Sequence, residues 1–333
     1  MRNGIGIFVM ILLATSCYRE VTLELPGDQG GLLVNAQLST ADKNHSVFVG
    51  TCSPSRVSPL HSAEVLCSVN GGERIKAEEV MVGGKPQVEY RFNTVLNPGD
   101  KVTIDVSDTD GRTAGAEVEV PEQTGEIVSI DTSSVDGKVY FSIKVRDNRD
   151  GPNYYMLTLD NKYKAILQDV VPYEGTIFDF VVTGSRKGIR LFNDNDPILS
   201  GGHVGGFGGD DIIGSGVENV NCVFSNLHFN DGIATINVYA DSTMLYDDDI
   251  IDYYISGVKY NTATISLHCV SKMEFDYLWT LNTFQVSGFH MSEMMEPASI
   301  PMNVSGGYGF VSVSSCDSKE IGLRRQYLRL KSS

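Results

Sequence analysis

The side chains here that could do chemistry are histidines, cysteines and clustered acids, and their spacing decides how far that goes. The six histidines, His45, His61, His203, His228, His268 and His290, are scattered along the chain. No HExxH, GxSxG or Walker loop brings a base, a nucleophile or a phosphate cradle together. Residues 201–209 are dense in glycine, include His203 and Phe207, and run into Asp210-Asp211. They lack the lysine of a phosphate loop, and the carboxylates that follow would repel phosphate. The stretch reads as a surface loop, with His203, Phe207, Asp210 and Asp211 as candidate contacts for a ligand or partner. Tyr246-Asp247-Asp248-Asp249-Ile250-Ile251-Asp252 is dense in acid. Calcium draws on alternating carboxylates and carbonyls, whereas consecutive aspartates point apart, so a solvated turn is expected. The sequence therefore predicts no catalytic residue, no metal site and no cofactor.

One cysteine is different. Met1-Arg2 precedes an apolar run from Ile5 to Ala14, followed by Thr15-Ser16-Cys17. A basic start, a short apolar core and small residues before a cut site make a secretory signal peptide over residues 1–16. The run is too short to cross a bilayer core of about 30 Å as a helix. Ala14-Thr15-Ser16-Cys17 resembles a lipobox, in which cysteine becomes the first mature residue and carries diacylglycerol. Cys17 is thus the expected lipid attachment site and residues 17–30 a lipidated tether. The rest of the chain is expected outside the cytoplasm, held to a membrane by its lipid. Asp241-Ser242-Thr243 matches a short O-glycosylation sequon of exported proteins, with Ser242 as the acceptor.

The chain has 333 residues and a net charge of −16, from 26 Lys+Arg against 42 Asp+Glu. So acidic a chain is repelled by nucleic-acid phosphates, which excludes that partner class. With 41% hydrophobic residues it can bury real cores. Beyond Cys17 five cysteines remain, Cys52, Cys67, Cys222, Cys269 and Cys316, with no CxxC pair. Two readings stay open: bridges such as Cys52–Cys67, or buried free thiols acting as small apolar side chains.

The elements that must position these residues read as strands. Val102-Thr103-Ile104-Asp105-Val106 alternates with period two, one face in and one out. Further strands are expected at residues 32–38, 46–49, 63–69, 88–92 and 115–120, separated by turns at residues 97–100 and 108–111. This predicts an immunoglobulin-like β-sandwich over residues 31–121. After a break at residues 121–125, a β-rich domain is expected over residues 126–333. Its strands lie at residues 127–131, 138–146, 154–160, 234–239 and 263–269, with an irregular loop insertion between. One helix is expected near 271–286, with Ser271 as N-cap and Glu274 at the capping-box position. The fold class is mainly β, with two β-sandwich domains. Gly306-Gly307-Tyr308-Gly309-Phe310 suggests a strand packed closely on another backbone.

Four stretches then fall in a recognisable order. Leu33-Val34-Asn35-Ala36 follows the lipobox, and residues 223–232 (Val-Phe-Ser-Asn-Leu-His-Phe-Asn-Asp-Gly) come mid-chain. Met273-Glu274-Phe275-Asp276-Tyr277-Leu278 and then residues 302–310 complete the set. In this order they resemble the DUF4249 family of Bacteroidota lipoproteins. The resemblance implies an outer-membrane lipoprotein often encoded beside TonB-dependent transporters. The expected role is non-enzymatic: an accessory or binding protein of such an uptake system, with the membrane and the transporter as partners. Two rival expectations are a glycan-binding surface lipoprotein, which would use exposed Trp or Tyr platforms, and a hydrolase.

Overall fold

The structure is a computed structural model that describes residues 30–53, 56–80, 87–148, 150–170, 177–193, 196–200, 218–245, 254–285 and 300–323. Cys17, His203, Phe207, Asp210, Asp211 and residues 246–252 lie outside the described residues.

The chain is mainly β. The strands before residue 120 are β1 (Gly31–Ser39), β2 (Asn44–Ser53), β3 (Arg56–Pro59), β4 (Glu64–Val69), β5 (Ile75–Lys76), β6 (Glu78–Val80), β7 (Val88–Asn93), β8 (Lys101–Ser107) and β9 (Thr113–Glu119). Then come β10 (Gly125–Val135), β11 (Lys138–Asp147), β12 (Tyr154–Val170), β13 (Ile177–Arg186), β14 (Val223–Ser225), β15 (Ile233–Asp241) and β16 (Tyr254–Val270). Helix α1 (Lys272–Gln285), β17 (Gly307–Tyr308) and β18 (Val311–Gly322) close the described chain.

Three sheets hold these strands, in a β-sandwich arrangement. The largest runs β13-β12-β16-β18-β1-β2-β7-β6; a second is β5-β4-β8-β9 and a third β10-β11-β15. The alternation read in β8 is realised: Val102, Ile104 and Val106 are buried, while Thr103, Asp105 and Ser107 point the other way. The turn before β9 is closed by Asp108, whose Oδ1 accepts from the amides of Asp110 and Arg112.

Two large buried clusters form. One gathers Leu32, Val34, Val47, Tyr90, Ile104 and neighbours up to Val120. The other gathers Ile127, Phe141, Tyr155, Ile236, Ile265 and neighbours. The chain passes from one to the other across residues 121–126. Near its C-terminal end it returns to the first cluster through Val304, Val311 and Val313. β18 accomplishes this return. Its residues Val311–Ser314 pair in parallel with Ala36–Ser39 of β1, and Ser315–Gly322 pair with β16. Sequence reasoning missed β18 and saw less than half of the 17-residue strands β12 and β16.

The glycine run is the close approach it suggested. A Cβ on Gly307 would stand 2.6 Å from the Leu32 carbonyl oxygen, and one on Gly309 would collide with Val34 O. Gly309 also has φ +114°, a region that favours glycine. All five cysteines are free, which settles the pairing question among the described residues. Burial pushes the Cys67 and Cys222 thiols up to about 12, so they behave as small apolar side chains.

Helix α1 begins as read, with the Glu274 amide donating to Ser271 Oγ at 3.1 Å. The reciprocal half of a capping box is absent. The Glu274 side chain turns inward and is 1% exposed.

Candidate binding groove

The outward face of the four-stranded sheet carries an open groove of about 850 Å³. Strand alternation builds its floor, since each residue between two buried neighbours must point out. β4 supplies Glu64 and Leu66, β8 supplies Thr103, Asp105 and Ser107, and β9 supplies Thr113, Gly115 and Glu117. Register sets these side by side: Ser107 lies opposite Thr113, Asp105 opposite Gly115 and Thr103 opposite Glu117. Asn303, Ser305 and Gly306 form the rim. Arg74 reaches Asp105 at 3.7 Å and Lys76 reaches Glu64 at 3.5 Å, both as exposed surface pairs. The floor therefore offers hydroxyls and carboxylates to a hydrated, extended ligand.

The rim also shows how this sheet ends. Gly115 N–H donates to Ser305 O at 3.0 Å, and Ser305 N–H donates back to Gly115 O at 2.8 Å. The backbone groups of Gly115 thus face away from β8. By alternation, so do those of Glu117 and Glu119. Past the Gly115–Ser305 bridge, β9 is the edge of its sheet among the described residues. Such an edge is a template for an added strand. Arg112, at the head of β9, ties this place to the N-terminal end of the described chain. Its Nη1 donates to Gly30 O at 2.5 Å while its Nε bonds Asp108 Oδ2 at 2.5 Å.

A second polar constellation lies on the largest sheet. Ser314 Oγ donates to Leu38 O at 3.3 Å, so it accepts from His268 Nδ1–H at 2.9 Å. That leaves Nε2 to accept from the Thr158 hydroxyl at 3.0 Å. The serine proton is committed to a backbone carbonyl, and both ring nitrogens are occupied. Packing lowers the His268 pKa to about 4, which keeps the ring neutral and suits this relay. Beside it the buried Glu274 carboxyl faces Ser312 and Gln37, whose side chains oppose the effect of burial on it. Burial pushes this carboxyl up to about 7.

A third set sits by a smaller pocket of about 470 Å³ lined by Ser62, Lys76, Glu79 and Tyr90. His61 Nδ1–H donates to Glu79 Oε1 at 2.6 Å, and the Ser62 amide donates to Oε2 at 2.9 Å. The His61 bond, then the Ser62 amide, hold the Glu79 carboxyl below the usual carboxylate range. Tyr90, beneath, accepts from the Ala63 amide and donates to Leu60 O. These bonds pin the loop from Leu60 to Ala63, where Ser62 has φ +60°. No three His, Cys, Asp or Glu side chains stand together to hold a metal among the described residues.

Ser242 is placed at the end of β15, in a short 3₁₀ turn, and is 4% exposed. Trp279 is half-buried on α1 and stacked on Phe275, with ring centroids 6.0 Å apart. Sequence reasoning did not find the groove. Its outward Thr, Ser, Asp and Glu look like any solvated strand face, and its rim comes from residues far along the chain.

A family model described as a domain of unknown function, DUF4249, matches residues 18–320. The chain belongs to the DUF4249 family. No curated protein matches it. Among solved structures, a DUF4785 family protein from Legionella pneumophila aligns with a TM-score of 0.23 and 8% identity, over 72% of this chain and 52% of that one. The DUF4249 chain thus spans about half the length of the Legionella protein. A protein from Bacteroides uniformis, provisionally described as carbohydrate-binding, aligns with a TM-score of 0.17 and 9% identity, over 73% of this chain and 90% of that one. No helix among the described residues is long and apolar enough to cross a membrane.

Proposed function

We propose that this DUF4249 protein is a lipid-anchored outer-membrane protein without chemistry of its own, an accessory of a TonB-dependent uptake system. We read its two large clusters as two β-sandwich domains, residues 31–121, of immunoglobulin-like size, and residues 126–333. The docking surface is the groove together with the free edge of β9, where a strand of the partner adds to the sheet. One observation carries this reading. Arg112 holds Gly30, where the tether meets the fold, at the head of the strand that borders the groove. Fully extended, residues 17–29 would reach at most about 45 Å. The groove therefore works close to the membrane, where a transporter is presented.

The test is copurification from detergent-solubilised outer membranes. The intact protein should carry fatty-acid label and bring down a TonB-dependent transporter, whereas Cys17→Ala should lose both the label and membrane retention. Equal labelling of the two forms, or no outer-membrane protein with the intact one, would overturn the proposal.

A further inference from the structure

The sheet β10-β11-β15 turns one face to a core and the other to water. Phe141 and Ile143 of β11 and Ile236 and Val238 of β15 are buried in the cluster around Tyr155. The residues between them point outward by alternation, and such a face is ordinarily polar. Here it carries a row of aromatic rings. Tyr140 lies opposite Tyr239, with ring centroids 5.4 Å apart. Phe192 joins on the far side of β15. Its N–H donates to Tyr239 O, and its carbonyl accepts from the Tyr239 N–H, both at 2.8 Å. The Phe192 and Tyr239 rings stack, with centroids 5.3 Å and planes 19° apart. All three residues are half-buried. The row crosses the strands, so strand spacing sets its repeat.

Polar side chains border the row on both sides. Two residues along the strands, Asp131, Ser142 and Asn237 stand in register across β10, β11 and β15. Asp196 steadies this border, its Oδ2 accepting from the Asn237 backbone N–H at 2.8 Å. Two residues the other way, Lys138 stands opposite Asp241. Lys138 Nζ rests 4.1 Å from the centroid of Tyr239, and the guanidinium carbon of Arg190 rests 4.6 Å from that of Phe192. Acids stand beside both cations. Glu218 bonds Arg190 at 2.7 Å, and Asp241 is the cross-strand neighbour of Lys138.

Packing between strands accounts for a touching aromatic pair. It does not account for a third ring brought from a separate segment, with hydroxyl, amide and carboxylate groups along both borders. We propose that this face is a carbohydrate-binding platform for an uncharged, extended chain of pyranose rings. The C–H face of a sugar stacks on an aromatic ring, and its hydroxyls radiate from the edge, where Ser142, Asn237, Asp131 and Asp241 wait. An extended chain laid across the strands meets successive rings. Lys138 and Arg190, on long stems, swing off the rings and donate to sugar oxygens. With an acid beside each cation, an acidic glycan gains nothing over a neutral one. The platform lies on a different sheet from the groove and does not depend on docking to a transporter.

The test is calorimetric titration of the full-length protein, in a detergent without a sugar head group. The probes are cellohexaose, mannohexaose and xylohexaose, with hexagalacturonate as the acidic counterpart. One or more of the uncharged chains should bind, and more tightly than hexagalacturonate. Tyr140→Ser and Tyr239→Ser should weaken that binding about tenfold or more. Tyr239→Phe keeps the ring and should retain it. Asn237→Ala alters only an exposed side chain, so it reads the polar border even where a tyrosine variant does not fold, and should weaken binding about threefold. Trp279→Phe, outside the platform, should leave binding unchanged. Lack of binding by all three uncharged chains would overturn the proposal, as would tighter binding of hexagalacturonate. So would full binding by folded Tyr140→Ser, Tyr239→Ser or Asn237→Ala, or its loss in folded Trp279→Phe.

Discussion

The outward face of the four-stranded sheet and the face of the large sheet beneath α1 are built from the same kinds of residue. On the first, Thr103, Ser107, Glu64 and Glu117 stand in water, and their carboxylates need no more than loose surface pairs with Arg74 and Lys76. Such pairs contribute about 0–1 kcal/mol. On the second, Ser312 and Ser314 are 6% and 1% exposed, and Glu274 lies among them. There every polar group needs a partner, because an unmet one costs about 1–3 kcal/mol or more. The comparison teaches that covering a polar strand face turns ordinary residues into energetic determinants. An uncovered one stays free to bind something else.

The largest effect expected from this difference is in stability against pH. His268 has its pKa lowered to about 4, so the unfolded chain takes up its proton first, and stability falls as pH drops from 6.5 to 4. Glu274 has its pKa raised to about 7, so stability falls as pH rises from 4.5 to 7. The two slopes oppose each other and largely cancel in the wild type. Glu274→Gln should unmask a protein that weakens on acidification, while His268→Gln should unmask one that weakens as pH rises. Each change is about 2–3 kcal/mol, the histidine's being the smaller because its ring keeps some exposure. Urea titrations at pH 4.5, 5.5 and 7 measure both; parallel pH profiles in the two variants would break the comparison.

A smaller effect is expected at the other end of α1. Asn282→Ala removes one hydrogen bond from Asn219 and two from Asn221, which keep their bonds to Leu199, Val223 and Leu278, and should cost about 1–3 kcal/mol in the same titrations. A neutral result would mean that the helix is not held by this end.

Much of the fold was legible because it is local. The alternation of β8 and the Asp108–Gly111 turn carry their reason within a few residues. The seat of α1 was not legible. Glu274 fits a capping box by spacing, and only the sheet formed from β1 and β18 shows that its carboxyl is turned inward. β18 itself escaped because its parallel partner β1 lies at the opposite end of the chain. Its Ser312 and Ser314 gave it a polar face that only the structure shows to be buried. The groove was hidden for the converse reason: its residues are typical of an exposed strand, and what distinguishes them is the unpaired edge beside them.

That edge is where the docking account is most exposed to test. Glu117 has its backbone amide directed away from β8, so Glu117→Pro removes a donor from the edge while sparing the ladder, a position where proline is tolerated. Its melting temperature should stay close to that of the wild type. The decisive measurement is copurification of the lipidated Glu117→Pro protein with outer-membrane transporters, against wild type and Glu117→Gln. The account predicts that Glu117→Pro loses the transporter while Glu117→Gln keeps it. Retention of the transporter by a folded Glu117→Pro protein would contradict docking through this edge.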